Sequence, residues 1–258
     1  MATALGDLFN LACLCGFSLF AGFVDAVVGG GGLVQLPALF VFLPQVAIPT
    51  LLGTNKLASI AGTTIAMVEY QRSVAVPWRV LSLGAIAAFI GSMVGASVTN
   101  QLSSQVLRPL VLVVLVAIAI YTFRHQDLGK IDQPKLQRPA AALILIGLGL
   151  GFYDGFLGPG TGSLLNFCLI SILGFGFLTA TASSKVINFA TNLAALLYFI
   201  VHGHLLYGVA IPMAVCNILG AVIGTRTAIT QGNLFIRRLF LIVVSGLILK
   251  IAYDLWQS

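Results

Sequence analysis

What this chain of 258 residues has least of is charge. Seven Asp or Glu and thirteen Lys or Arg make up 8% of it, against 59% hydrophobic residues and a mean hydropathy of +1.06. Soluble domains carry about a quarter charged residues, so a water-soluble fold is excluded and a polytopic membrane protein is expected. Strict apolar/polar alternation is also missing. Leu110–Phe123 and Leu239–Ala252 are apolar nearly all round, which excludes a β-barrel and leaves α-helices. Cysteine is scarce too: Cys13, Cys15, Cys168 and Cys216 lie within apolar segments at no metal-ligand or redox spacing, and read as small hydrophobes. There is no Gly-x-x-x-x-Gly-Lys-Ser/Thr loop, no metal-ligand cluster and no locatable Ser/His/Asp set, so the expectation is no enzyme, no metal and no cofactor. No Lys or Arg precedes the first apolar run, so a basic signal-peptide start is lacking and the first segment is expected to be retained. The net charge of +6 sits mostly in short loops, a pattern that reports membrane orientation rather than nucleic-acid binding.

Glycine, by contrast, is plentiful, and its placement organises the chain. Gly22–Gly32 sets a carboxylate, Asp25, inside an apolar run and then breaks the run with Gly29, Gly30, Gly31 and Gly32. The pattern returns at Gly151–Gly162, where Asp154 lies 129 residues after Asp25 and the break contains Gly158, Pro159, Gly160, Thr161 and Gly162. The same offset pairs Leu36 with Leu165, Thr50 with Thr179, Lys56 with Lys185, Gly91 with Gly220, Gly95 with Gly224 and Arg108 with Arg237. Matching of rare charged residues is not what two unrelated apolar sequences give, so the chain is an internal duplication.

Apolar runs of spanning length cover Leu8–Val28, Val46–Tyr70, Val76–Val98, Val106–Phe123, Ala140–Leu157, Phe177–Val201, Leu205–Ile229 and Leu234–Trp256. Leu33–Leu43 and Gly162–Leu173 are about half the roughly 20 residues a straight span needs, and read as half-helices or hairpin legs. The hydrophilic segment Arg124–Arg138 is the linker between repeat one (about 7–124) and repeat two (about 139–256) of a single transmembrane domain. Basic residues fall at Arg72–Arg79 in the first half, but one loop later, at Arg226, Arg237 and Arg238, in the second. That shift by one crossing is what an inverted repeat requires. The expectation is an all-α, five-plus-five inverted architecture with a cytoplasmic linker and both termini on the non-cytoplasmic side. Whether each glycine-broken pair crosses fully or is re-entrant stays open.

Lys56 and Lys185 each lie about ten residues into a run, roughly 15 Å deep at 1.5 Å per residue, too deep to snorkel out. Ser59 and Thr63 follow Lys56, and Asn188 and Asn192 follow Lys185, at helical spacing. Two readings stand: a ligand-facing polar stripe, or a structural ion pair. Asp25 and Asp154 read either as partners of the lysines, or hydrogen-bonded neutral carboxyls, or as proton-coupling groups. A short helix after each glycine turn points amide N–H groups and a positive dipole end into the protein, which suits an anion. Gly91, Gly95, Gly220 and Gly224 have the small-xxx-small spacing of helix packing. Glu69, His202 and His204 lie near segment ends and carry no expected chemistry, and Trp78 and Trp256 read as interface anchors.

These residues resemble the sulfite exporter TauE/SafE family, also known as the toluene sulfonate uptake permease family. The likeness rests on Ala21–Gly32 followed by Pro37, on Gly53-Thr54-Asn55-Lys56, on Gly151–Gly162, and on Ala182-Ser183-Ser184-Lys185 with Asn188, and covers essentially the whole chain. Pro159 and Thr161 depart from the more glycine-rich pattern and make the halves unequal. The resemblance implies a transporter in the prokaryotic cytoplasmic membrane handling sulfur-containing anions such as sulfite, sulfonates or sulfoacetate. The expected contacts are Gly29, Gly30, Gly31, Gly32, Thr54, Asn55, Lys56, Ser59, Gly158, Gly160, Thr161, Gly162, Ser183, Ser184, Lys185, Asn188 and Asn192, with Asp25 and Asp154 as proton-coupling or structural groups. Expected partners are the lipid bilayer and a small anion, with a homo-oligomer left open. Competing readings are an anion channel, a structural or accessory membrane protein, and a cation carrier using the two aspartates.

Overall fold

The computed structural model describes residues 2–101 and 139–257. Every element among them is α-helical: α1 (Ala2–Val28), α2 (Gly31–Phe42), α3 (Ile48–Ser73), α4 (Trp78–Gln101), α5 (Pro139–Phe156), α6 (Thr161–Leu173), α7 (Phe177–Val201) and α8 (Tyr207–Gln257). The expected run Val106–Phe123 and the linker Arg124–Arg138 lie outside the described residues.

Among the described helices, four contain stretches long and apolar enough to cross a membrane: Leu8–Val28, Trp78–Thr99, Phe177–Val201 and Tyr207–Gly232. This is fewer than the full-length runs expected from sequence, for identifiable reasons. Helix α3 has the length but is diluted by the polar residues Thr54, Asn55, Lys56, Ser59 and Thr63. The apolar part of α5, Ala140–Phe156, is short. The two runs expected at the C-terminus form one helical stretch, α8, kinked at Gly232, whose φ of 69° and ψ of −164° are accessible only to glycine. The runs expected at Leu33–Leu43 and Gly162–Leu173 are the short helices α2 and α6.

Both glycine breaks stop a helix in the same way. Gly29 (φ +78°) and Gly158 (φ +89°), 129 residues apart, take the left-handed conformation that ends a helix without β-carbon strain. Gly29 N–H donates to Asp25 O at 2.8 Å, and Gly158 N–H to Tyr153 O at 3.2 Å. The two breaks then touch. Ser163 N–H donates to Gly29 O at 3.0 Å, and a β-carbon on either Gly29 or Gly162 would collide with the backbone of the other.

Packing follows small residues. Helix α1 lies along α8, and α5 along α4, while α3 packs on α8 and α7, and α7 on α4. Gly91 and Gly95 admit the carbonyls of Leu148 and Phe152 so closely that a β-carbon would not fit, and Gly220 and Gly224 do the same for Leu19 and Phe23. Leu148 and Phe152 follow Leu19 and Phe23 by the same 129 residues, so the contacts of one half recur in the other with partners exchanged. The apolar core gathers in two clusters, one including Val24, Val27, Leu165, Leu169 and Ile187, the other Leu36, Leu39, Leu51, Leu52 and Phe199. Large apolar side chains such as Ile86, Leu145, Ile211 and Val215 face outward, as a lipid-embedded surface needs.

Candidate functional site

Both deep lysines are ion-paired, each to the aspartate of the other half. Lys56 Nζ on α3 stands 2.6 Å from Asp154 Oδ2 on α5, and both side chains are 3% exposed. Lys185 Nζ on α7 stands 2.7 Å from Asp25 Oδ2 on α1; here the lysine side chain is fully enclosed while the carboxylate is 18% exposed. Lys185 also donates to the main-chain carbonyl of Asp25, so its ammonium has two acceptors. Asp25 lies near the end of α1 and Asp154 near the end of α5, immediately before each break, because the left-handed glycines cut those helices short at the depth the lysines reach. A lone charge in this environment is costly, and loss of one partner from such a pair costs about 3–5 kcal/mol.

Between the pairs lies a small polar cavity lined by Asp25, Gly29, Gly32, Asn55, Lys56, Ser59, Asp154, Gly158, Gly160, Thr161, Gly162, Asn188 and Asn192. About 20 Å³ of it can be reached by the centre of a water molecule, enough for one or two waters, within about 280 Å³ of empty volume. That is at the lower edge of small-molecule pockets, which start near roughly 300 Å³, so it suits a compact solute. The lining mixes donors with the two carboxylates. Asn192 Nδ2 donates to Asn188 Oδ1 at 3.1 Å, Thr161 Oγ1 to Gly158 O at 2.9 Å, and the buried Asn55 Oδ1 has no protein partner. Two ammonium groups and two carboxylates make the site neutral overall when all four are ionised.

Other residues expected at the site lie off the cavity lining. Lys185 is sealed behind Asp25. Thr54 Oγ1 donates to Thr50 O and accepts from Leu206 N–H at 3.1 Å, fastening the start of α8 to α3. Ser184 Oγ donates to Thr181 O at 2.9 Å, and the buried Ser183 Oγ has no partner. Gly30 and Gly31 sit at the start of α2, where Gly31 N–H reaches Asp25 Oδ1 at 3.4 Å. The amides of the two short helices are partly engaged by the protein already: Thr161 N–H meets Gly158 O at 3.4 Å, and Ser163 N–H meets Gly29 O.

Several polar residues around the site were not singled out by the sequence. Tyr70 Oη donates to Ala26 O at 2.9 Å and Tyr153 Oη to Pro159 O at 2.6 Å, so each break has a tyrosine holding its backbone. Gln35, fully buried on α2, donates from Nε2 to Ser18 Oγ at 3.0 Å and accepts from the cavity residue Ser59 at 3.4 Å; Ser18 Oγ in turn donates to Met213 O. Asn217 Nδ2 on α8 donates to Ser18 O at 3.1 Å. Gln35 and Asn217 stand alone within apolar runs, and that isolation was the available signal. Away from the cavity, Arg226 and Glu69 pair at 3.4 Å. In the loop between α7 and α8, His204 Nδ1 lies 3.4 Å from Thr50 Oγ1, and burial, with His202 nearby, holds its imidazole below the ordinary histidine range.

A polar cavity enclosed by helices, with buried lysine–aspartate pairs and repeated glycine breaks, can now be set beside known proteins. The sequence profile described as sulfite exporter TauE/SafE matches residues 14–251. The chain belongs to this family. Among its relatives, a probable membrane transporter protein of Haemophilus influenzae is 35% identical over 248 residues, covering 95% of each chain. Probable membrane transporter protein ORF9 of a Sinorhizobium species is 34% identical, covering 95% of this chain and 93% of its own. Probable membrane transporter protein YfcA of Escherichia coli K12 is 33% identical, covering 97% and 90%. No solved structure matches. Family membership and the apolar helices together make this a multi-pass membrane transporter.

Proposed function

We propose that the protein is a secondary transporter that moves a small sulfur-containing anion, of the sulfite, sulfonate or sulfoacetate class, across the cytoplasmic membrane by alternating access. The observation that carries this reading is the exchange of ion pairs, Lys56 with Asp154 and Lys185 with Asp25, around one polar cavity at the meeting of the two glycine breaks. In this reading repeat one (about 7–124) and repeat two (about 139–256) are inverted copies on either side of a cytoplasmic linker (about 125–138). Both termini then lie on the non-cytoplasmic side. Each half supplies the counter-charge of the other, so rocking one half against the other would remake both pairs around the solute.

The ligand contacts of this reading are the cavity residues Asn55, Lys56, Ser59, Thr161, Asn188 and Asn192, with the glycine backbone of both breaks. Protonation of one aspartate would turn a neutral site into a positive one, linking anion binding to a proton. Uptake into proteoliposomes should be measured for sulfite, thiosulfate, sulfoacetate, taurine and sulfate at two pH gradients. The reading expects saturable uptake of at least one sulfur oxyanion that responds to the gradient. Uptake of none of them would overturn the substrate class, and flux that rises without saturation would make the protein a channel.

A further inference from the structure

We infer that the two ion pairs have different duties, with Asp25 as the carboxyl that takes up the coupled proton and Lys56 as the cation that meets the anion. This rests on the transporter reading above and deepens it.

Three observations separate the pairs. The first is access: both aspartates border the cavity, but the Asp25 carboxylate is 18% exposed and that of Asp154 is 3%. A proton carried by water therefore reaches Asp25 more readily. The second is what each lysine keeps if its carboxylate is neutralised. Lys185 retains the main-chain carbonyl of Asp25 as an acceptor, whereas Asp154 is the one hydrogen-bond acceptor Lys56 shows among the described residues. An ammonium buried without an acceptor carries a large desolvation cost, so protonating Asp25 disturbs its pair less. The third is placement of the lysines. Lys56 lines the cavity, while Lys185 is fully enclosed behind Asp25 and does not.

The ionisable groups around Asp25 are Lys185 from α7, Lys56 and Tyr70 from α3, and Asp154 from α5 across the cavity. Helix α2 contributes none; α6 carries Cys168. The α8 surface against α1 brings Cys216 beside Cys15, and Arg226 of α8 is occupied with Glu69. With Asp25 ionised, four charges cancel and an exposed carboxylate faces any incoming anion. With Asp25 protonated, the site carries one net positive charge, Lys185 stays hydrogen-bonded, and the anion settles against Lys56. One proton and one negative charge thus enter together, and release of the proton from Asp25 on the other side restores the repulsion that expels the anion.

The test is anion-induced thermal stabilisation of the purified full-length protein across the neutral pH range, using thiosulfate and methanesulfonate, whose charge is constant there. The wild type is expected to lose apparent affinity by up to about tenfold per pH unit as pH rises, as one linked proton requires. D25N is expected to bind both anions with no pH dependence, and D154N to keep it. If D25N does not fold, D25E should shift the midpoint of the pH profile and D154E should not. Persistence of the pH dependence in D25N, its loss in D154N, or a midpoint moved by D154E alone overturns the assignment. Wild-type binding that ignores pH overturns the assignment and leaves the transporter reading intact. No binding of either anion by the wild type removes both.

Discussion

The two glycine breaks look alike in sequence and differ in what surrounds them. Gly29 presses against the backbone of Gly162, where a β-carbon would meet main-chain atoms that cannot swing away. At the equivalent Gly158 the nearest atom to an added β-carbon is Lys56 Nζ, 3.1 Å away at the end of a flexible side chain. The first break is therefore fixed by contact between the halves, and the second is open to the cavity. The ion pairs divide the same way: Lys185 is walled in beside the first break, and Lys56 borders the cavity beside the second. A duplicated chain has thus built one wall and one face from the same motif.

The largest effects should come from breaking a pair on one side only. Lys185→Ala leaves Asp25 without its cation and should destabilise the fold by about 3–5 kcal/mol, seen as a lower unfolding temperature in detergent. The paired change Lys185→Gln with Asp25→Asn should recover most of that loss. If the double variant is no better than the single, the pair is not what the lysine holds. Next in size is the contrast between the breaks. Gly29→Ala combines left-handed strain of about 1–2 kcal/mol with a backbone collision of about 1–3 kcal/mol, whereas Gly158→Ala should cost the strain alone. Equal unfolding temperatures for the two variants would erase the distinction drawn here.

Smaller again are the tyrosine ties. Tyr70→Phe and Tyr153→Phe each remove one hydroxyl donor to a break carbonyl, at Ala26 and Pro159, and should cost about 0.5–1.5 kcal/mol apiece. Smallest is the loop at His204. Its imidazole titrates below the usual range when folded, so the unfolded chain binds the proton more readily. The stability it contributes is present above the ordinary histidine pKa and is lost as pH falls through the lowered folded value. His204→Gln should flatten a slight acid-side decline in unfolding temperature, and an unchanged profile would show that the loop does not feel the charge.

Much of this was legible in the residues. A carboxylate before a run of glycines, repeated at a fixed offset, marks a helix stop wherever it occurs, because only glycine takes the left-handed turn without strain. Lysines ten residues into apolar runs had to be paired or facing a ligand. The sequence could not show which aspartate each lysine meets, since the partners come from opposite halves and only packing brings them together. Nor could it separate Thr54 and Ser184 from the lysines that follow them. One helical step is about 100°, and it turns those side chains toward other acceptors while the neighbouring lysine faces its aspartate. Gln35 escaped because a single amide in an apolar half-helix carries no pattern, although in three dimensions it links Ser59 to Ser18. Family resemblance pointed to the transporter class, which the match over residues 14–251 bears out.

The most direct test of the central claim is thiosulfate or sulfite uptake by proteoliposomes carrying the double variant Lys56→Gln with Asp154→Asn, beside the wild type. The paired change leaves no lone buried charge, so the protein should fold with nearly wild-type thermal stability. The account predicts saturable uptake by the wild type and loss of that uptake, by about tenfold or more, in the variant. Undiminished transport by a folded variant would contradict it.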